Sequence, residues 1–255
     1  MGNLKVSIIT VSYNSRATIA DTIRSVSSQS YSNIEHVIID GASTDGTVEI
    51  VKSFGNKVSK FITEHDNGIY HAMNKGIRLA SGDFIGILNS DDFLCDNYVI
   101  ETIVNTFKES DVDAIFGDVM FIDTINTAKV VRYYSSKYFS PRMLKYGMIP
   151  AHPSFYSKRT LYDIWGLYKE DYKIAADFEL LIRFFKYGSI TTKYIPIPFV
   201  SMRLGGVSNS SLKNRCLINK EILRACRENG INTNVCNIYS RYFIKLFEFL
   251  GNKKY

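Results

Sequence analysis

Residues 84–93 read Phe-Ile-Gly-Ile-Leu-Asn-Ser-Asp-Asp-Phe, a greasy strand that ends in two adjacent carboxylates, Asp91 and Asp92. Neighbouring carboxylates repel, and a place beside a buried strand end is costly unless something positive neutralises them. A surface loop, a basic side chain or a metal ion would each serve. Three earlier apolar runs also end in polar residues. Val6–Ser12 leads into Tyr13-Asn14-Ser15, Ile34–Asp40 into Gly41-Ala-Ser-Thr-Asp-Gly46, and Val58–Glu64 into His65-Asp66. Helical spacing lies between them, over 17–29, 47–54 and 68–80, and again over 98–107 before the run Ala114–Phe121. This alternation predicts an α/β fold with a doubly wound, mostly parallel sheet flanked by helices. Ligands of such sheets bind beyond the carboxyl ends of the strands. The four polar strand ends therefore predict one ligand-binding edge.

The second half is less regular. Residues 133–148 read as aromatic and loop-rich, 149–156 as a strand with a turn, and 174–187 as a helix with Phe178, Leu181, Ile182 and Phe185 inward. The pair Gly205-Gly206 is the nearest thing to a boundary. It divides a domain over 1–206 from a helical C-terminal extension over 207–255, with helices expected over 212–229 and about 234–250.

The chain has 255 residues, 45% of them hydrophobic and 22% charged, as in an ordinary globular protein with a substantial core. No apolar run is long enough for a membrane-spanning helix, and the N-terminus lacks the features of a signal peptide, so a cytoplasmic location is expected. The four cysteines form no CxxC pair and read as free thiols. Residues 207–255 hold nine Lys/Arg against three acids, a surplus of six that accounts for the whole +6 of the chain. The basic character is local. It suggests an anionic surface near the C-terminal segment and not a nucleic-acid-coating domain.

Four motifs, VSIITVSYNS at 6–15, IIDGASTDGT at 38–47, ILNSDD at 87–92 and AADFELLIR at 175–183, make the chain resemble glycosyltransferase family 2, inverting sugar transferases with the nucleotide-binding GT-A fold. The intervening EHDNGIYHAMNKGI at 64–77 is similar to bacterial enzymes that build surface polysaccharides (O-antigen, capsule or exopolysaccharide). The resemblance spans roughly residues 4–206. It implies that Asp40 accepts from the uracil N–H, with Thr10, Ser12 and Tyr13 lining the same base pocket. Asp66 would contact the nucleoside, and Asn74 and Lys75 ribose or diphosphate. Asp92 would ligate Mn2+ or Mg2+, with Asp91 beside it on ribose or a metal-bound water. Asp177 would be the base that takes the proton of the acceptor hydroxyl. Ala176 would leave room for the sugar, and His152 would line the donor or acceptor pocket. Arg203 would meet the diphosphate as a loop closes after the double glycine.

The stretch 238–250 places Tyr239, Tyr242, Phe243, Leu246, Phe247 and Leu250 on one helical face, with Arg241 and Lys245 alongside. Such a face could lie on the inner membrane as a peripheral contact through 238–255, or pack on its own domain or on a second subunit of a homodimer. The function expected is transfer of a hexose, glucose or galactose, from a UDP-sugar to a saccharide on undecaprenyl diphosphate. GDP-mannose and UDP-N-acetylhexosamine stand as alternative donors, and a non-catalytic nucleotide-sugar-binding module as an alternative role. A phosphotransferase is disfavoured because no GxxxxGK[ST] loop occurs.

Overall fold

The computed structural model describes residues 3–205 and 212–242. Strands β1 (Val6–Ser12), β2 (Ile34–Asp40), β3 (Lys60–Thr63) and β4 (Phe84–Ile87) form the parallel half of one sheet, in the order β3-β2-β1-β4. The helices between them are α1 (Ile19–Ser27), α2 (Thr47–Ser53) and α3 (Ile69–Leu79). Every residue of β1 is buried because both faces of its strand are covered. Val6 and Ile8 enter the core on the α4 (Val99–Glu109) side, and Ile9 and Val11 enter the core on the α3 side.

Beyond β4 the sheet changes character. Strand β8 (Phe155–Lys158) runs antiparallel to β4 and to β6 (Ala114–Ile122). The ring of Tyr156 lies over Gly86 of β4 so closely that a Cβ there would meet it at 2.2 Å, so only glycine fits. Strand β9 (Thr192–Arg203) runs parallel to β6 and then pairs antiparallel with β5 (Phe93–Leu94), the two residues that follow the acidic turn. Strand β7 (Val130–Tyr134) pairs with β6.

The expected strand over 149–156 is replaced by a short 3-10 turn, His152–Ser154, and β8 starts only at Phe155. Pro150 and Pro153 supply no N–H for a ladder there. Helix α5 (Thr160–Trp165) follows β8, and the expected helix over 174–187 is α6 (Ala176–Ile182) followed by one π turn, Arg183–Tyr187. Helix α7 (Leu212–Glu228) packs on α6, and its Ile222, Ala225 and Cys226 belong to the same core as β1 and α3. Residues 235–242 are helical, with Ile238 and Arg241 turned inward and Tyr239 and Tyr242 exposed. Gly206 and the residues from Phe243 onward, including Leu246, Phe247 and Leu250, lie outside the described residues. Among the described residues no helix is long and apolar enough to cross a membrane.

One buried carboxylate ties the back of the sheet together. Glu35 accepts from Ser7 Oγ at 2.6 Å, Ser81 N at 2.7 Å and Ser81 Oγ at 2.8 Å, and pairs with Lys60 at 2.9 Å. Burial alone would raise its pKa. These bonds outweigh burial and hold it near 2, against an ordinary 4.5. A depressed pKa adds stability that is present above the unfolded value and lost as pH falls through the folded one. The expected result is a loss on the order of 3 kcal/mol between pH 4.5 and 2, read by thermal unfolding. Glu35→Gln should flatten that part of the profile. A variant that loses stability with the wild-type slope across this window would refute the assignment.

Candidate active site

The loops after β1 and β2 interlock at the carboxyl edge. Asn14 N donates to Ser43 Oγ at 2.8 Å, Thr44 N to Asn14 Oδ1 at 3.0 Å, and Ser15 N to Thr47 Oγ1 at 2.8 Å. Asp40 lies beneath this mesh with no exposed surface. It accepts from Ser12 Oγ (2.9 Å), Ser43 N (2.9 Å), Ser43 Oγ (2.5 Å) and Thr63 Oγ1 (2.7 Å). Four donors fill its lone pairs, so the carboxylate is committed within the chain and not open to a base. Ser12 is committed with it. Thr10 is also withdrawn, because its buried hydroxyl pairs with His36 Nε2 at 3.0 Å and faces the helix layer. What stands open is a slot over Gly41. A Cβ there would meet Asp66 Oδ2 at 2.7 Å and the Tyr13 ring at 3.3 Å. Tyr13 is 68% exposed, and among the described residues Asp66 accepts only from Gly68 N (2.8 Å). An exposed ring and an under-used carboxylate flank a floor without a side chain, a shape suited to a flat base.

Two other expected contacts are spent elsewhere. Asn74 is buried and clamps the 168–170 segment, through Tyr168 O (2.8 Å), Glu170 Oε1 (2.9 Å) and Tyr168 N (2.9 Å). It does not reach the edge. Lys75 is ion-paired with Glu64.

The acidic turn, residues 89–92, is braced from two sides. Thr22 Oγ1 of α1 donates to Asp92 O at 2.7 Å and Ser90 O at 3.1 Å. Arg203 was expected at the diphosphate, yet its guanidinium is buried behind the turn. It donates to Asp91 O (2.6 Å) and to Asp21 Oδ2 (2.5 Å), and its own N–H donates to Asp92 Oδ1 (3.3 Å). Arg203 therefore shapes the turn. Asp92 is 2% exposed, and its Oδ2 is buried without a partner. Burial, with Asp91 adding to it, pushes its pKa well up. A buried orphan carboxylate oxygen beside a second acid is the local cost that a divalent cation would remove. Among the described residues no group of three His, Cys, Asp or Glu could hold a metal by itself. A site of one or two carboxylates completed by phosphate oxygens is the arrangement that magnesium commonly takes.

Beside the turn opens a cavity of about 340 Å³. Asn89, His152 and Asp177 all line it, and Asn89 Oδ1 is buried and unpartnered. Asp177 stands in the first turn of α6, half-buried. Burial raises its pKa, opposed by nearby His152, while Glu221 adds to the rise. His152 Nε2 meets Tyr168 OH at 2.7 Å, and burial lowers the pKa of the imidazole. Ala176 is buried and donates its N–H to Tyr70 OH (3.3 Å), whereas Ala175 is the alanine that lines the cavity. Glu179 faces away into ion pairs with Lys169 and Arg183.

Residues 7–165 match the model of the family described as Glycosyl transferase family 2. The chain belongs to glycosyltransferase family 2. A PGL/p-HBAD biosynthesis glycosyltransferase of Mycobacterium bovis is 27% identical over 86% of this chain and 82% of its own length. An uncharacterized glycosyltransferase of Mycobacterium tuberculosis is 30% identical over 70% of this chain and 68% of its own. Among solved structures, S. aureus TarS 1-349 in complex with UDP-GlcNAc superposes with a TM-score of 0.69 at 19% identity, covering 86% of this chain and 67% of that one. The mannosyltransferase PcManGT of Pyrobaculum calidifontis, in complex with GDP-Man and Mn2+, gives 0.66 at 18%, covering 91% and 65%. These likenesses show a GT-A fold. The family 2 match stops before Asp177, so the base candidate and the smaller part of the cavity wall, Ile174 to Arg241, come from later sequence.

Three groups at this glycosyltransferase site escape a motif reading. Asn89 sits inside a motif whose acids draw the attention. Glu221 is one of only three acids in the basic segment, yet it is buried and accepts three successive backbone N–H groups, of Lys173, Ile174 and Ala175, at 2.8–2.9 Å. Its position one residue before Ile222 on the inner face of α7 was the available signal. Arg241 interrupts an otherwise amphipathic stretch and is buried at 6% exposure.

Proposed function

We propose that this chain is a metal-dependent, inverting glycosyltransferase. It transfers a hexose, glucose or galactose, from a UDP-sugar to a lipid-linked saccharide, undecaprenyl diphosphate being the carrier expected from the polysaccharide-type resemblance. One observation carries the reading. A half-buried carboxylate with a raised pKa, Asp177, shares a cavity with Asn89 of the turn that bears the orphan Asp92 oxygen. A base must keep a pKa high enough to take a proton while staying ionised at working pH, and partial burial does this. Asp92 and Asp91 would hold Mn2+ or Mg2+, which when bound supplies positive charge to the leaving diphosphate. The uracil would lie over Gly41, between Tyr13 and Asp66, with Asp40 holding the floor. Asp177 removes the acceptor proton during attack on the face opposite the leaving group. Tyr168 holds the His152 imidazole in place beside it, through the bond to Nε2.

The complexes of the neighbouring structures with UDP, UDP-GlcNAc, GDP-Man, Mn2+ and Mg2+ support a nucleotide-sugar donor. They also keep UDP-N-acetylhexosamine and GDP-mannose as the second reading. Calorimetry with UDP, GDP and dTDP, with Mn2+ and with chelator, tests both. UDP binding that needs the metal is expected. A preference for GDP would select the second reading, and no metal-dependent nucleotide binding would sink the mechanism. The domain over 1–206, a membrane contact through 238–255 and a homodimer remain part of this proposal. The exposed rings of Tyr239 and Tyr242 and the basic surplus support the surface contact.

Glu221 acts through Asp177 as a positioning residue. It fixes the three N–H groups just before α6, and its charge adds to the raised pKa of Asp177. Glu221→Gln is expected to lower kcat about tenfold with UDP affinity unchanged. Removing the negative charge should also move the acid limb of the pH–rate profile to lower pH. An unmoved limb would reduce Glu221 to a packing role.

A further inference from the structure

Tyr70 lines the cavity with Asp177, and the proposed mechanism gives it no task. It stands in the first turn of α3, 8% exposed, with its ring stacked on that of Tyr168 at 5.6 Å. Helix α3 is a firm mount for it. A Cβ on Gly76 would meet the Ile9 side chain at 2.4 Å, so the helix lies hard against β1. From that mount the phenol reaches across to the second half of the fold, where its oxygen accepts from Ala176 N at the start of α6 (3.3 Å). Burial, with the charge of Asp177 adding to it, pushes the pKa of the phenol up, so the group stays neutral.

The N–H groups that open a helix carry partial positive charge. They favour the ionised form of a nearby carboxylate and so weaken it as a base. Asp177 stands among such groups. Two of them are taken by side chains from other elements, Ala175 N by Glu221 Oε2 of α7 (2.9 Å) and Ala176 N by the Tyr70 hydroxyl. Phe178 N bonds to Asp177 Oδ1 itself, at 2.7 Å. Tyr70 and Glu221 thus occupy helix donors whose positive ends would otherwise stand open beside the base.

We infer that Tyr70 is a positioning residue for Asp177: by capping Ala176 N from α3, it fixes the first turn of α6 in the cavity wall and withholds a helix donor from the base. The inference rests on Asp177 as the base and adds what holds that base in place and keeps it basic.

Tyr70→Phe tests it, since the variant keeps the ring and its stacking on Tyr168 and loses one oxygen. Two titrations are compared between variant and wild type. One follows the Asp177 carboxyl by carbon NMR, its signal assigned by its loss in Asp177→Asn. The other follows kcat/KM. The Asp177 pKa should fall by about half a unit or more once Ala176 N is uncapped, and the acid limb should move to lower pH with it. Turnover should drop about tenfold with UDP affinity unchanged. The other titratable and charged groups around Asp177 are His152 from the turn before β8, Tyr168, Glu221 of α7, and Arg132 of β7 and Arg241 in the same cavity wall. None of them is altered in Tyr70→Phe, so the shift reports the phenol. An unmoved carboxyl would overturn the inference. A raised pKa would show the phenol donating to the carboxylate and would overturn it as well. A carboxyl that shifts while the acid limb stays in place would uphold the cap and count against Asp177 as the base.

Discussion

Asp177→Asn should cut turnover about a thousandfold while UDP and metal bind as in the wild type. The amide keeps the shape of the side chain and its place in the first turn of α6, but it cannot take a proton. The effect belongs to the chemical step, so KM for the donor should hold. In the wild type, burial has raised the Asp177 pKa, with His152 opposing and Glu221 adding. A base is inactive once protonated, so the rate falls as pH falls through that pKa. The acid limb of kcat/KM should therefore stand above the ordinary aspartate value of 3.8. It should vanish from the residual activity of the variant. A variant with near-normal turnover would move the base to another residue, and the 170–171 acids would be next. Both are already engaged, Glu170 with Asn74 and Asp171 with Arg224.

The second large effect is expected at Asp92. Asp92→Asn should weaken UDP binding in the presence of Mn2+ at least about a hundredfold, to the level seen with chelator. The metal-free variant should melt no lower than wild type. Its buried Oδ2 has no partner, so removing the charge relieves desolvation instead of breaking a bond. The pair of results separates a metal ligand from a structural acid. Lower stability together with lower affinity would mean that Asp92 holds the turn, as Arg203 and Thr22 do.

The parallel half of the fold was legible in the sequence, with β1 and β2 recovered at both ends, because runs rich in β-branched residues and polar strand ends are local signals. The second half was not, because β7 and β8 are short strands whose pairing with β6 is decided far along the chain. At the site, a motif says which residues gather at an edge but not which way each one points. Thr10 and Asn74 carry the right chemistry and turn it inward, towards His36 and the 168–170 segment. Asp40 is at the right strand end but one layer too deep. Arg203 was read as a mobile ligand, and the backbone ladder of β9 with β6 instead holds it against the acidic turn.

That ladder also bears on how the protein can be cut. Strand β9 covers one whole side of β6, pairing with residues from Ala114 to Ile122. A fragment that stopped at residue 165, where the family match ends, would leave the long β6 with a free hydrogen-bonding edge, and Ile115, Phe116 and Val119 among its residues. Such an edge recruits strands from other molecules. The stretch recognised by homology is therefore not a unit that can be expressed alone, and its expected fate in a cell is inclusion bodies.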